Sequence, residues 1–293
     1  MAISHKAGFV SIVGKPNVGK SSLMNRLVGE NLSIITAKAQ TTRHRIMGML
    51  NGDDFQIVYS DTPGLLEPKY ELHKAMMRYV SVSLEDADLI LLVVELGEKF
   101  DEPTHQRFKK LKMPVVLLIN KTDLAKGSMV KDKSEHWKST LAPSAIIPVS
   151  AKTGENVDQV LKTILQFLPQ HPPYYPKDDL TDRSERFFAS EIIREKIFLH
   201  YEQEIPYSTE VIIEEFKAEE KIIRMRATLF VERDSQKGIL IGKGGASLKK
   251  VGTEARKDLE AFFGKKVFLE TFVKVADNWR KEKQRLRQFG YVE

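Results

Sequence analysis

Gly14-Lys15-Pro16-Asn17-Val18-Gly19-Lys20-Ser21 follows the apolar run Phe9–Val13 and precedes a helix-like stretch that opens with Ser22. A glycine-rich turn in that setting lets backbone amides wrap phosphate groups, helped by the positive end of the helix behind it. Lys20 is then placed to reach β- and γ-phosphates, and Ser21 to ligate Mg2+. The bland alternative is a glycine turn with a chance lysine, which leaves the correct strand and helix flanks unexplained. The reading predicts an α/β nucleotide-binding domain.

Outward from this loop, short and mostly β-branched runs alternate with helix-like stretches: Phe55–Tyr59, Leu89–Val94, Val115–Ile119 and Ala145–Val149. Parallel strands buried on both faces look like this. Ile46–Leu50 and Phe55–Tyr59 are joined by Asn51-Gly-Asp-Asp54, a hairpin signal that makes this pair antiparallel. The expectation is a mixed, mostly parallel six-stranded sheet with helices on both faces.

The whole chain has 293 residues, enough for about two domains. With 42% apolar and 29% charged residues it has the makeup of a soluble globular protein, which excludes wholesale disorder and fibrous repeats. No apolar run approaches the ~18 residues of a membrane span. The N-terminal residues do not read as a secretory signal. The absence of cysteine excludes disulfides, thiolate metal sites and a cysteine nucleophile, and suits a reducing cytosol. A net charge of +6 permits an anionic partner without demanding one.

Four prolines fall within residues 169–176, followed by an acidic polar stretch. Such a segment breaks helices and favours an extended connection. The domains are therefore expected at 1–168 and 184–293, with a linker at 169–183. The second half reads as a helix over Ser184–Glu204, strands at Thr209–Phe216 and Ile222–Val231, a glycine loop, and a helix from Ala246 to Phe263. A strand at Val267–Val275 and a basic helix to Gln288 follow. The order α-β-β-α-α-β implies a small α+β domain with helices on one face of a sheet.

Three further motifs specify the nucleotide. Asp61-Thr62-Pro63-Gly64 ends a buried strand, so its carboxylate can hold the metal and the Gly64 amide can meet the γ-phosphate; alone, these four residues read equally well as a plain turn. Asn120-Lys121-Thr-Asp123 ends another. Asp123 can accept from N1 and the 2-amino group of guanine, a donor pair adenine lacks, worth roughly 1–3 kcal/mol by analogy with bidentate base readout. Ser150-Ala151-Lys152 closes a later strand, where the Ala151 amide can meet guanine O6. Each motif is weak alone; in this order, at strand ends, they predict a site for GTP and GDP. Its expected lining is Gly14 through Ser22, Asp61 through Leu65, Asn120, Lys121, Asp123, and Ser150 through Lys152.

These motifs resemble the TrmE–Era group of translation-factor-related GTPases over the first 168 or so residues. Gln40-Thr41-Thr42-Arg43 is similar to that group's switch I, which implies Thr42, with Thr41 as fallback, as the contact to Mg2+ and the γ-phosphate. Lys20, Thr42, Asp61 and Gly64 are then the catalytic candidates, and Ser21, Thr42 and Asp61 the metal ligands. Leu65 stands where Ras-like enzymes carry a water-orienting glutamine, and an apolar side chain cannot orient water by hydrogen bonding. The resemblance suggests K+ near Asn17 in place of an arginine finger; the alternative is that Asn17 only caps the loop. Slow intrinsic turnover follows.

In the second half, Ile239-Leu-Ile241-Gly242-Lys243-Gly244-Gly245 sits between two helices. With the α-β-β-α-α-β order it resembles a type II KH domain, whose glycine loop lets a single strand's backbone approach while apolar neighbours form a groove for about four nucleotides. Lys237, Lys243, Lys249 and Lys250 make the stretch 237–250 basic with no acidic residue, whereas acidic residues outnumber basic ones between Arg186 and Glu220. Lys237, Ile241, Gly242, Lys243, Gly244, Gly245, Lys249 and Lys250 are the RNA-binding candidates. The basic run Trp279–Arg287 could contact phosphates, touch an anionic membrane surface, or be a plain soluble helix.

Together the halves resemble the Era branch of that group over nearly the full length. That resemblance implies a cytoplasmic, monomeric factor for small (30S) ribosomal subunit maturation, bound near the 3′ end of 16S rRNA, with peripheral association to the inner membrane. Two rivals differ in class: an RNA-binding module with a dead nucleotide domain, which intact Lys20, Ser21 and Asp61 argue against, and an RNA-modifying catalyst, for which the C-terminal half offers no acid–base pair.

Overall fold

The structure, a computed structural model, describes residues 5–291. The chain divides into two compact units: the residues up to Glu67 together with Met76–Asp182, and Pro68–Ala75 together with Arg183 onward.

The first unit contains β1 (Lys6–Val13), α1 (Lys20–Val28), β2 (Ile46–Asn51), β3 (Phe55–Asp61), most of α2 (Glu71–Asp86), β4 (Leu89–Glu95), α3 (Glu102–His105), β5 (Val115–Asn120), α4 (Met129–Leu141), β6 (Ala145–Pro148) and α5 (Val157–Phe167). The six strands run in the order β2-β3-β1-β4-β5-β6. All pairs are parallel except the β2–β3 hairpin, where Ile46 faces Asp61 and Asn51 faces Gln56. Every residue of β5 is buried, as is all of β4 but Glu95, which is why these strands read as unbroken apolar runs. β1 is flanked by β3 on one side and β4 on the other. Strand order reverses there, and ligands of open α/β sheets bind beyond such a point.

The proline-rich segment is no free spacer. The Met49 amide donates to Leu180 O at 2.9 Å, and the Thr181 hydroxyl to Met47 O at 2.7 Å, so residues 179–182 run antiparallel along the edge strand β2. Gln56, fully buried, donates to Tyr175 O at 2.8 Å and accepts from the Tyr174 amide at 2.7 Å. An edge strand leaves its amides and carbonyls unpaired, and this strap satisfies them. Its prolines lack the N–H that pairing would need, so they are tolerated beside the sheet but not within it.

The second unit contains α6 (Glu185–His200), α7 (Ile205–Ser208), β7 (Glu210–Ala218), β8 (Ile222–Val231), α8 (Asp234–Ile241), α9 (Ala246–Phe263), β9 (Lys266–Val275) and α10 (Lys283–Gln288). The sheet order is β7-β8-β9, antiparallel then parallel. Ala189, Ile193 and Ile197 on α6 and Val251, Ala255 and Leu259 on α9 recur every fourth residue; they pack on the alternate residues Ile223, Met225, Ala227 and Leu229 of β8. Two expectations change. The first helix ends at His200, and the basic C-terminal run is not one helix. It is a 3-10 turn over Trp279–Lys281 and the six-residue α10, broken at Glu282, whose backbone is extended. The break turns Trp279, Leu286 and Phe289 into the core, and the Trp279 indole donates to Ser208 O at 2.8 Å.

Candidate nucleotide site and RNA-binding loop

Four strand ends supply the candidate nucleotide site. β1 runs into the phosphate loop, β3 ends at Asp61, β5 at Asn120, and β6 leads to Ser150. Three glycines are demanded by geometry. A Cβ on Gly14 would stand 2.2 Å from Val93 O, one on Gly64 would stand 2.7 Å from the Pro16 nitrogen, and Gly19 has φ 97° at the start of α1. The loop is thus a cradle that side chains would fill.

A cavity of about 170 Å3 lies above it, bordered by Asn17, Lys20, Ser21, Thr42 and Gly64 among others. Here three oxygens converge. Ser21 Oγ donates to Asp61 Oδ2 at 2.6 Å, and since its one hydrogen is used, Thr42 Oγ1 donates to Ser21 Oγ at 2.9 Å. Asp61 Oδ1 is buried and makes no hydrogen bond. An orphaned carboxylate oxygen beside two hydroxyls is the hard-oxygen donor set Mg2+ takes, together with phosphate oxygens and water. Among the described residues no cluster of three His, Asp or Glu forms a metal site elsewhere.

Burial controls the charges. It pushes the Lys20 amine down to about 8, against the upward pull of the Asp61 and Glu98 carboxylates. It raises the Asp61 carboxyl above its ordinary value, opposed by the Ser21 hydroxyl and the Lys20 ammonium. Lys20 Nζ donates to Lys15 O at 2.9 Å, within the loop it would share with phosphates.

A neighbouring cavity of about 580 Å3 contains Asn120, Lys121, Asp123, Ala151 and Lys152, and shares Gly19, Ser22, Ile35 and Lys121 with the first. Ser150 Oγ donates to Asp123 Oδ1 at 2.7 Å, which sets the carboxylate's orientation. Asn120 accepts from the Ala151 amide at 3.0 Å and donates to Val18 O at 2.8 Å, so it ties the Ser150–Lys152 loop to the phosphate loop.

Lys15, Val18, Thr62, Pro63 and Leu65, all expected in the site, contribute no side chain to these cavities. The Thr62 hydroxyl donates inward to Ile12 O at 2.8 Å. Pro63 and Val18 are buried, and Lys15 turns to Glu98 and Asp101. Leu65 packs into the core beside Val13 and Val80, and its amide is bonded to Gly14 O at 2.9 Å. The Thr41 hydroxyl is taken by Thr36 and Lys38 O, leaving Thr42 as the threonine that reaches Ser21. Asn17, at φ 63°, donates to Ala37 O at 2.9 Å; it links the phosphate loop to the switch segment rather than capping its own loop.

The sequence reading omitted Asn25, Arg26 and Ile35. Asn25 holds the backbone of Leu32 and Ser33 through three hydrogen bonds of 2.7–3.1 Å, and Arg26 grips the Ser150–Lys152 loop. Asn25 and Arg26 are adjacent residues of α1 with no motif around them, so only the fold exposes their roles.

In the second unit, Gly242 ends α8 at φ 73°, and Gly244 and Gly245 follow at 59° and 79°. A Cβ on Gly242 would stand 2.2 Å from Ser247 Oγ; those on Gly244 and Gly245 would meet open space. Lys243, Gly244, Lys249 and Lys250 are exposed, and Lys237 and Ile241 half-buried. Ile239, also missed from sequence, is 52% exposed on α8, an apolar side chain in water beside the loop. Positive φ at three of four consecutive residues, with lysines around them, gives a backbone that a polyanion can approach closely.

Residues 9–121 match the family described as 50S ribosome-binding GTPase, and residues 204–280 match the KH domain family. The chain is 44% identical over 297 residues to GTPase Era of Syntrophus aciditrophicus, covering 100% of this chain and 97% of that protein. It is 45% identical over 293 residues to GTPase Era of Staphylococcus epidermidis, covering 99% and 98%. A crystal structure of Era in complex with MgGDPNP and nucleotides 1506–1542 of 16S ribosomal RNA aligns with TM-score 0.94 at 40% identity, covering 99% of this chain and 100% of that one. Aquifex aeolicus Era, in a point variant bound to GDP and AlF4−, aligns with TM-score 0.93 at 38% identity, covering 98% and 100%.

Proposed function

The chain belongs to the Era family of GTPases, and on that premise we propose that it is a GTP-hydrolysing switch that binds 16S ribosomal RNA near its 3′ end during small-subunit maturation. The observation that carries the nucleotide half is the convergence of Ser21, Thr42 and Asp61 oxygens over a glycine cradle, next to a cavity holding Asp123 and the Ala151 amide. The RNA half is supported by the glycine loop with its lysines and by the related structure that holds 16S rRNA nucleotides 1506–1542. The working division is a GTPase domain up to residue 168, the strap, and a type II KH domain from 184.

Ser21, Thr42 and Asp61 would hold Mg2+, which when bound neutralises charge on the β- and γ-phosphates. Lys20 donates to those phosphates, and the loop amides and the Gly64 amide stabilise charge as the γ-phosphoryl group departs. Leu65 leaves the attacking water without a glutamine, so intrinsic turnover is slow. K+ near Asn17 belongs to this reading, and exchange of K+ for Na+ should slow hydrolysis.

Cytoplasmic localisation and a monomeric state are part of the proposal. No helix among the described residues is long and apolar enough to cross a membrane. With Trp279, Leu286 and Phe289 turned inward, peripheral attachment through the C-terminal run would rest on its exposed lysines and arginines alone. Phosphate release from GTP and ATP by the full chain tests the activity: release from GTP only, abolished in Lys20→Ala, supports it, and GTP-independent RNA binding with no release contradicts it.

A further inference from the structure

The Ser150–Lys152 loop is held from two sides. On its amide side, Asn120 accepts from Ala151 N–H at 3.0 Å, and Ser150 Oγ donates to Asp123 at 2.7 Å. On its carbonyl side, the Gly154 amide donates to Ser150 O at 2.8 Å, and Arg26 holds the next two carbonyls. Its Nη2–H donates to Lys152 O at 2.8 Å and its Nε–H to Ala151 O at 3.4 Å. One planar guanidinium therefore spans two successive carbonyls, a grip that a lysine's single ammonium reproduces in part only.

Arg26 is suited to this by its place on α1. The helix starts at Lys20 and Ser21 in the phosphate loop and is fixed to the core by Leu23, Met24, Leu27 and Val28. Arg26 itself lies on the exposed face, where truncation removes no core packing. A rigid rod that starts in the phosphate loop thus carries a strut to the Ser150–Lys152 loop.

We propose that Arg26 is a positioning residue for guanine recognition: by holding the Ala151 and Lys152 carbonyls it keeps the Ala151 N–H, which donates to Asn120 in this structure, where it can be shared with guanine O6, and so sets discrimination at purine position 6. This rests on the guanine reading of the larger cavity. Position 2 of the purine falls to Asp123, which is oriented by Ser150; the Ser150 amide and carbonyl are held by Glu155 O at 3.2 Å and the Gly154 amide at 2.8 Å, not by Arg26, so the two positions separate experimentally.

The test is a set of affinities of the full-length protein, wild type, Arg26→Ala and Arg26→Lys, for GDP, 6-thio-GDP, IDP and ADP. Sulfur at position 6 is a weaker acceptor, and IDP lacks the 2-amino group. Arg26→Ala should weaken GDP by about three- to tenfold, the worth of one or two modest hydrogen bonds. The penalty for 6-thio-GDP should shrink toward none, the penalty for IDP should stay at its wild-type value, and Arg26→Lys should fall between. An unchanged 6-thio penalty in Arg26→Ala, an absent one in wild type, or equal shrinkage of both penalties overturns the proposal. Equal wild-type affinity for GDP, IDP and ADP would instead overturn the guanine reading beneath it.

Discussion

Thr42 Oγ1 stands 2.9 Å from Ser21 Oγ, which is itself bonded to Asp61. Thr41, the adjacent and chemically identical residue, spends its hydroxyl on Lys38 O at 2.7 Å and on Thr36. Thr42→Ala should therefore slow single-turnover GTP hydrolysis on the order of a hundredfold, the usual loss for one transition-state contact. GDP affinity should hardly change, because GDP has no γ-phosphate. Thr41→Ala should leave hydrolysis near wild type and cost about 1 kcal/mol of stability. Chelation by EDTA should reduce phosphate release by either protein to background.

The proposed site assigns base choice to Asp123. Asp123→Asn should weaken GTP and favour xanthosine triphosphate, whose 2-oxo group accepts from an amide. A shift of about 1–3 kcal/mol is expected in competition binding. Retention of the wild-type preference for GTP would show the base site misplaced.

Leu65 packs in the core instead of facing the phosphates. Leu65→Ala should lower unfolding free energy by about 2–5 kcal/mol, as buried leucine truncations do. Hydrolysis per folded molecule should fall far less than in Lys20→Ala. Denaturant titration and phosphate release on the same samples separate the two effects.

Lys243→Asp combined with Gly244→Asp places two negative charges where an RNA backbone must approach. Gly244 has φ 59° and open space beyond it, a conformation that aspartate tolerates better than most residues. RNA binding should be lost while the melting temperature and GDP affinity hold. Gly242→Ala should impair RNA binding by another route, since its methyl would collide with Ser247.

Much of this was legible in the sequence because it is local. Buried strands betray themselves by unbroken apolar runs, so β2 through β6 fall within two residues of their expected ends. The phosphate loop and Asn120–Asp123 are contiguous motifs at those ends. What stayed hidden depends on contacts between distant residues. The strap over residues 170–182 reads as a linker because nothing local reveals that Gln56 and the edge of β2 bind it. Arg26 reads as a solvated helix residue until Ala151 and Lys152 are folded against it. The resemblance already put Thr42 ahead of Thr41; the hydrogen bonds that separate them, to Ser21 and to Lys38 O, depend on the backbone path. The C-terminal basic run looked like one helix because its charges mask Trp279 and Phe289, whose burial forces the break.

The central claim is a switch: the nucleotide state governs RNA binding. Linkage requires RNA to change GTP affinity by the factor with which GTP changes RNA affinity. The direct measurement is the affinity of the full-length protein for 16S rRNA nucleotides 1506–1542, loaded with Mg2+ and GDPNP or with GDP, at one fixed salt concentration. Tighter binding with GDPNP, by about fivefold or more, is predicted. Equal affinity in the two states, with hydrolysis indifferent to saturating RNA, would contradict it.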